Sequence, residues 1–255
     1  EEASGIAYIP PALFEEWGAR DPIKTFEARL INDGTLKQEE VDALRERFKA
    51  QIQASVDEAL EQEPPTSTPE AELKRVFAPL PAPASVSLKG TRTLRYVDAI
   101  AEAMGQAMEA DDRVLILGQD IAEYGGAFKI TDGFVERFGK ARVRNTPIIE
   151  SGAVGAAMGL ALEGFLPIME MQFGDFVTCG FNQIVNNLAK THYRWGAPIP
   201  VTVRMPVGGG MGAGPYHSQN PESWFTSVAG LKVVAPATPQ DAKGLLLSAI
   251  QDPNP

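Results

Sequence analysis

Two different hydrophobic patterns divide the chain. In the first, apolar residues recur every three or four positions, which predicts one face of an amphipathic helix. The residues of this stripe are Val41, Leu44, Phe48, Ile52, Val56 and Leu60. The preceding Thr35-Leu-Lys-Gln38 has the spacing of a capping box and predicts where the helix begins. Such a helix cannot bury its apolar face alone, so we expect it to pack against another domain or another subunit.

The second pattern begins near residue 88 and alternates short apolar runs with helical segments. The first predicted helix carries an apolar face at Leu94, Val97, Ala101, Met104 and Met108. The other predicted elements are strands at 114–117, 166–171, 200–205 and 231–235, a long helix at 174–193 and a helix at 239–251. Apolar strands separated by helices indicate a mainly parallel sheet covered on both faces. The fold class is therefore predicted to be doubly wound α/β.

A proline-rich stretch separates the two patterns. Its six prolines are expected to prevent regular structure. We therefore predict a helical segment at 1–62, a linker at 63–87 and an α/β domain at 88–255. The chain begins without a methionine and stops directly after a helical pattern, which we interpret as a fragment or a processed piece.

Composition excludes several classes of function. The net charge of −10 argues against a nucleic-acid-binding surface, which needs clustered Lys and Arg. The single Cys179 cannot form an internal disulfide, and two histidines are too few for a zinc cage. No apolar run approaches the roughly 20 residues of a membrane span. We expect a soluble protein of a reducing compartment, with neither nucleic acid nor membrane as a partner.

Ligands in doubly wound sheets bind beyond the carboxyl ends of the strands. Glu150 lies at such a position, where a strand ends and a Gly- and Ala-rich helix begins. The helix dipole favours a negative charge there. The local pattern fits a binding residue, but by itself it favours an acidic residue that only stabilises the start of the helix.

Two further segments follow strands. Residues 170–176 mix aromatic and polar groups, as the wall of a ring-binding site does, although the aromatic residues fit a core equally well. The glycine run 207–214 leads to His217, and its flexibility delivers this side chain to the top of the sheet. The run is not a phosphate loop, because it lacks the Gly-Lys-Ser/Thr ending. Because His217 ends such a glycine-rich loop, we favour a functional role for it over that of an ordinary polar residue.

Taken in order, these segments resemble a known family. The matching segments are Gly118-Gln-Asp120, Tyr124-Gly-Gly-Ala-Phe-Lys129, Asn145-Thr-Pro-Ile-Ile-Glu150, Glu170-Met-Gln-Phe173, Asn182-Gln-Ile-Val-Asn186, His217-Ser-Gln219, Leu231-Lys-Val-Val234 and Asp241-Ala-Lys-Gly244. The region 88–255 resembles the β subunit, with its transketolase-like pyrimidine-binding domain, of the decarboxylating component of branched-chain 2-oxo acid and pyruvate dehydrogenases. The region 1–62 looks like the carboxyl-terminal tail of the α subunit. The chain thus resembles a fused α–β form.

The resemblance implies thiamine-diphosphate-dependent oxidative decarboxylation of a 2-oxo acid, with acyl transfer to a lipoyl domain. In the family, a glutamate matching Glu150 hydrogen-bonds the pyrimidine of the cofactor and promotes deprotonation of its thiazolium ring. Phe176 matches an aromatic residue that packs on the pyrimidine, and Gln172 lies in the same wall. His217 matches the active-site histidine, which orients the lipoyl group or transfers a proton.

The resemblance also implies further ligands and partners. The diphosphate and Mg²⁺ are bound by an α-type portion outside this chain, so the isolated chain is expected to be inactive. Positions matching Val201, Ala249, Asp252 and Asn254 bind potassium in relatives, partly through backbone carbonyls. An ordinary turn at the end of a helix explains Asp252 and Asn254 equally well. The implied partners are an α-type half or second fused protomer in a homodimer or larger assembly, and a lipoyl acyltransferase core. The expected compartment is the bacterial cytoplasm or the mitochondrial matrix.

Two departures and three alternatives accompany this interpretation. Gln119 stands where relatives commonly have glutamate, and residues 179–182 replace a version that contains proline and aspartate. Branched-chain substrates are favoured because Gln172-Phe173 and residues 217–222 look more like that branch of the family. The alternatives are a pyruvate dehydrogenase component, an acetoin dehydrogenase component and a non-catalytic assembly module.

Overall fold

The computed structural model describes residues 9–81 and 92–255. The chain divides into two compact units, Glu1–Thr66 and Ser67–Pro255. The first unit contains α1 (Pro11–Ala19), α2 (Pro22–Asn32) and α3 (Gln38–Glu61). The carboxylate of Asp21 caps α2 by accepting a hydrogen bond from the Ile23 N–H at 2.8 Å.

The long helix α3 begins two residues later than the capping-box prediction, because its N-cap is Lys37 and not Thr35. The Glu40 carboxylate accepts a hydrogen bond from the Lys37 N–H at 2.8 Å, so the cap is formed by residues 37–40. Thr35 instead belongs to a preceding turn, in which its N–H donates to Asp33. Val41 is buried, but the last four residues of the predicted stripe are 45–79% exposed in this chain.

The second unit starts with a short helix, α4 (Pro69–Arg75). The prediction that residues 63–87 lack regular structure is therefore wrong for this part. Pro69 occupies the first turn, where a missing N–H costs no hydrogen bond, and the Thr68 hydroxyl caps the helix by accepting from Ala71 at 3.2 Å. The remainder of the predicted linker, from residue 82, lies outside the described residues.

The sheet of the second unit has four parallel strands in the order β2-β1-β3-β4. The strands are β1 (Val114–Gly118), β2 (Val143–Asn145), β3 (Leu166–Glu170) and β4 (Thr202–Arg204). Three of them confirm predicted strands, and the parallel arrangement confirms the predicted fold class. The strand predicted at 231–235 does not form: the Lys232 N–H donates to the Pro255 carbonyl, and Val234 is half exposed.

Helices cover both faces of the sheet. They are α5 (Tyr96–Ala110), α6 (Phe134–Phe138), α7 (Glu150–Leu162), α8 (Val177–Asn182), α9 (Ala189–Trp195) and α10 (Pro239–Gln251). Val114 and Ile116 of β1 pack in one core with Met104 of α5, whereas Leu115 packs in a second core with Val154 of α7. This alternation follows from the opposite orientation of successive strand residues.

The predicted helix at 174–193 is less regular than its pattern suggests. It begins with a 3₁₀ turn (Gly174–Phe176), continues as α8, passes through a π-helical segment (Gln183–Leu188) and ends as α9. A second 3₁₀ turn occupies Glu222–Trp224. In the described part of the chain, none of the helices has both the length and the apolar character needed to cross a membrane.

Candidate functional site

Glu150 lies at the carboxyl edge of the sheet as the first residue of α7. Glu150 is only 8% exposed to solvent. Gln119, the residue directly after β1, is buried to the same extent. The Gln119 Nε2 donates a hydrogen bond to Glu150 Oε1 at 3.0 Å. A buried carboxylate without a donor is costly, and the amide supplies one. The end of β1 and the start of α7 therefore hold this carboxylate between them.

The ends of β1 and β3 are linked by a second hydrogen bond. The Gln172 Nε2 donates to Asp120 Oδ2 at 3.0 Å. Asp120 has φ +55°, in the left-handed region that non-glycine residues rarely adopt. Such backbone strain is maintained only where the surrounding structure enforces it, as at ligand sites. The two residues line an open cleft of 510 Å³ together with Tyr124, Ala127 and Phe173.

An aromatic cluster stands beside this cleft. The ring centroid of Phe173 lies 4.8 Å from that of His217 and 5.8 Å from that of Phe176. Phe176 lies 5.4 Å from His217, and Phe128 completes the group at 5.6 Å from Phe173. All four pairs meet edge to face, the geometry that the aromatic quadrupole favours. The structure thus brings the predicted residues Phe176 and His217 together, and Phe173 belongs both to this cluster and to the lining of the cleft.

Close packing of α7 and α8 brings Glu150 near the same place. A Cβ added to Gly180 would lie 3.6 Å from the carbonyl carbon of Glu150 and 3.4 Å from Met171 Cε. A methyl group at position 180 would therefore be in van der Waals contact with the first residue of α7. Phe176 precedes Gly180 by about one helical turn, so it lies near the same end of α7 as Glu150.

A buried ion pair that the sequence reasoning did not identify lies at the carboxyl ends of β3 and β4. Glu170 and Arg204, the last residues of β3 and β4, approach through Nη2 and Oε1 at 2.7 Å and through Nε and Oε2 at 3.0 Å. Tyr96 lies within the electrostatic influence of Arg204; burial raises the pKa of this phenol above its usual value, and Arg204 opposes the shift. The sequence feature that could have predicted this ion pair is a residue of opposite charge at the end of each of two apolar strands.

The predicted potassium positions serve other contacts in the structure. These positions are Val201, Ala249, Asp252 and Asn254. The Asp252 carboxylate accepts from Lys232 Nζ at 2.5 Å and from Asn254 Nδ2 at 2.8 Å. Asn254 bonds the backbone of Ala78 twice, accepting from its N–H at 2.6 Å and donating to its carbonyl at 3.1 Å. Potassium binding stays a prediction, and it rests on backbone carbonyls.

Residues 9–81 and 92–255 contain no group of three or more His, Cys, Asp or Glu side chains that is able to hold a metal ion. The polar groups of the candidate site are the buried carboxylate of Glu150, the exposed carboxylate of Asp120 and the two amides bonded to them, beside aromatic rings. This set suits a flat heterocycle with ring nitrogens and an amino group, because carboxylates and amides hydrogen-bond such groups while aromatic rings pack on the face.

Comparison with protein families identifies two regions. A family described as transketolase, pyrimidine binding domain, matches residues 92–255. A family described as dehydrogenase E1 component matches residues 4–68. The first match contains the sheet and every candidate residue described above, and the second contains α1 to α3.

Individual relatives agree with these matches. The beta subunit of 2-oxoisovalerate dehydrogenase from Bacillus subtilis (strain 168) is 48% identical over 166 residues, which cover 64% of this chain and 50% of the relative. The beta subunit of the pyruvate dehydrogenase E1 component from Leifsonia xyli subsp. xyli (strain CTCB07) is 43% identical, with coverages of 64% and 49%. The chain spans about half the length of the curated relatives it matches.

A solved structure supports the fold alone. It is described as a split gene transketolase, inactive beta4 tetramer, and superposes with a TM-score of 0.50 at 18% identity. The superposition covers 63% of this chain and 48% of that one.

Proposed function

The chain belongs to the transketolase pyrimidine-binding domain family, and on that premise we propose that it supplies the pyrimidine-binding half of a thiamine-diphosphate-dependent 2-oxo acid dehydrogenase. The reaction is oxidative decarboxylation of a 2-oxo acid, with transfer of the acyl group to a lipoyl domain. The observation that carries the proposal is Glu150, a buried carboxylate at the carboxyl edge of the sheet, held by Gln119.

The cofactor and the residues of the site have different roles in the proposed reaction. When bound, thiamine diphosphate supplies the carbon nucleophile and takes up the electrons that decarboxylation releases. Glu150 Oε1 accepts from Gln119, so Oε2 is the atom that exchanges a proton with a pyrimidine nitrogen. Phe173 and Phe176 pack on the ring and exclude water from the proton transfer. His217, at the end of the glycine-rich loop, meets the incoming lipoyl group.

The proposal assigns the diphosphate and Mg²⁺ to another part of the enzyme. The candidate site offers groups that suit the aminopyrimidine, and the metal-binding half is assigned to an α-type partner or a second fused protomer. In this proposal the active enzyme is a homodimer or a larger assembly. The acyl group is transferred to a lipoyl acyltransferase core. The match of residues 4–68 to an E1 component supports a fused α–β arrangement.

Replacement of Glu150 tests this proposal. In the full-length protein assembled with its α-type half, Glu150→Ala should lower decarboxylation with an artificial electron acceptor by about 10²- to 10⁴-fold, the usual contribution of acid–base catalysis. The matched control is Glu163→Ala, an exposed carboxylate directly after the other end of α7, which should leave turnover unchanged. Undiminished turnover in Glu150→Ala would remove the central claim.

The same assay on the wild-type protein identifies the substrate. Branched-chain 2-oxo acids are the favoured class, and the relative named for 2-oxoisovalerate is the more similar of the two described above. Pyruvate and acetoin are the alternatives. The ratio of kcat/KM values across these three substrates decides among them, because this ratio measures discrimination in the transition state.

A further inference from the structure

Asp175 lies in the 3₁₀ turn Gly174–Phe176, next to the aromatic cluster. It is 7% exposed, and its Oδ1 accepts a hydrogen bond from the backbone N–H of Gln219 at 3.3 Å. Gln219 is two residues beyond His217. A carboxylate on one side of the site thus holds the backbone that carries the histidine.

The same turn also holds the beginning of the glycine-rich loop. The Gly174 N–H donates to the Pro206 carbonyl at 2.7 Å, and the Gly208 N–H donates to the Gln219 carbonyl at 3.2 Å. A Cβ on Gly174 would lie 2.6 Å from Val207 Cγ1, so turn and loop are in close contact. Loop 206–219 is therefore attached to the turn at both of its ends.

The burial of Asp175 has no explanation in local helix capping. Asp175 occupies the cap position of neither the 3₁₀ turn nor α8, the helix that follows, since those positions belong to Phe173 and Phe176. In the described part of the chain, Asp175 Oδ2 is buried without a hydrogen-bond partner. The Gln219 N–H is consequently the hydrogen bond that compensates for burial of this carboxylate. Loss of this acceptor would leave the partly buried Gln219 N–H without its partner, which gives the contact a role in ordering the loop.

We infer that Asp175 is a positioning residue for His217. Its carboxylate fixes the backbone after the histidine, while the rings of Phe173 and Phe176 fix the imidazole edge to face at 4.8 and 5.4 Å. Five glycines at 208, 209, 210, 212 and 214 give the preceding segment wide conformational freedom. Without the Asp175 contact, the loop leaves the position that the aromatic cluster defines.

This inference rests on the proposed function, because it assigns Asp175 to the step that uses His217. Glu150 acts before acyl transfer and lies on a different element, α7. Loss of Asp175 should therefore weaken reductive acylation of the lipoyl domain more than it weakens decarboxylation. Simple destabilisation of the enzyme would lower both activities in equal proportion.

The kinetic test compares these two activities in the full-length enzyme with its α-type half. In Asp175→Ala, lipoyl acylation should fall about 10- to 100-fold further than decarboxylation with an artificial acceptor, since a displacement of about 1 Å costs that much. Asp175→Asn retains Oδ1 as an acceptor and should restore most of the loss. Asp112→Ala removes a fully exposed carboxylate and should alter neither activity. An equal fall of both activities in Asp175→Ala, or a defect in Asp175→Asn as large as that in Asp175→Ala, would overturn the inference.

Hydrogen–deuterium exchange gives a readout that does not depend on catalysis. Amides in peptides that cover 206–219 should exchange faster in Asp175→Ala than in the wild type, and Asp175→Asn should restore the protection. Unchanged exchange in Asp175→Ala would overturn the inference. Wild-type protein that decarboxylates no 2-oxo acid would instead refute the proposed function, while the exchange experiment still tests the contact between Asp175 and the loop.

Discussion

A backbone contact at Gly230 leaves no room for a side chain. A Cβ at this position would lie 1.9 Å from the carbonyl oxygen of Ala189, and φ is +95°. We expect Gly230→Ala to lower the free energy of unfolding by about 3 kcal/mol or more, because the clash and the unfavourable φ add. Urea denaturation of the protein measures this change.

The matched control for Gly230 is Gly244, in the interior of α10. A Cβ at Gly244 would meet no heavy atom within 4 Å. Gly244→Ala should stabilise the protein by about 0.5–1 kcal/mol, the usual difference between the two residues in a helix. Equal effects of the two substitutions would show that the backbone of Ala189 moves to accommodate the new methyl group.

At the same scale, sequence and structure differ in what they reveal about the site. Glu150 and His217 were predicted because side-chain type, loop position and family order coincide at both. Asp175 received no role, since its partner is a backbone N–H 44 residues away, and every residue except proline has such a group. A hydrogen bond from a side chain to the backbone of a distant residue therefore produces no recognisable pattern in the amino-acid sequence.

At the scale of secondary-structure elements, the side chain of Glu102 links helix α5 to helix α10. Its carboxylate accepts from Arg92 at 2.6 Å and from Lys243 of α10 at 3.0 Å. The Arg92 hydrogen bond, with a smaller contribution from Lys243, lowers the pKa of Glu102 below its usual value of 4.5. Because this pKa is lower in the folded state, ionised Glu102 stabilises the folded protein above pH 4.5. That stabilisation is lost as the pH falls through the pKa of Glu102 in the folded state.

This linkage predicts the pH dependence of stability. Between about pH 5 and pH 3, the free energy of unfolding should fall less steeply in Glu102→Gln than in the wild type, because the neutral amide binds no proton. Urea denaturation at a series of pH values measures the slope. Glu163→Gln, at an exposed position, should keep the wild-type slope. A wild-type slope in Glu102→Gln would mean that its ion pairs do not contribute to acid sensitivity.

Elements were predictable where hydrophobic pattern alone decides them. Strands β1 and β3 are buried almost completely, so continuous apolar runs identified them. The segment 231–235 is also mostly apolar, but it forms no ladder with a neighbouring strand, and apolar character does not specify a pairing partner. Helix α4 was missed because proline was taken as a breaker, although at the first turn proline is compatible with a helix.

Across the second unit, Asn254 joins residues distant in sequence. Its amide bonds both backbone groups of Ala78, which follows α4, and Tyr193 of α9 donates to Glu72 of α4 at 2.6 Å. The prolines of this region predicted a linker without regular structure, whereas these contacts attach residues 72–78 to the α/β domain. Residues 72–78 are therefore part of the packed second unit.

Removal of this attachment should be visible in two measurements. Asn254→Ala leaves the buried N–H and carbonyl of Ala78 without partners, so the free energy of unfolding should fall by about 1–3 kcal/mol. Trypsin should also cleave faster after Lys74 and Arg75, because α4 detaches more often. Asn186→Ala removes an exposed asparagine from the π-helical segment and should change neither quantity. If stability fell in Asn254→Ala while cleavage stayed slow, the ion pair of Asp252 with Lys232, rather than Ala78, would be the contact that Asn254 supports.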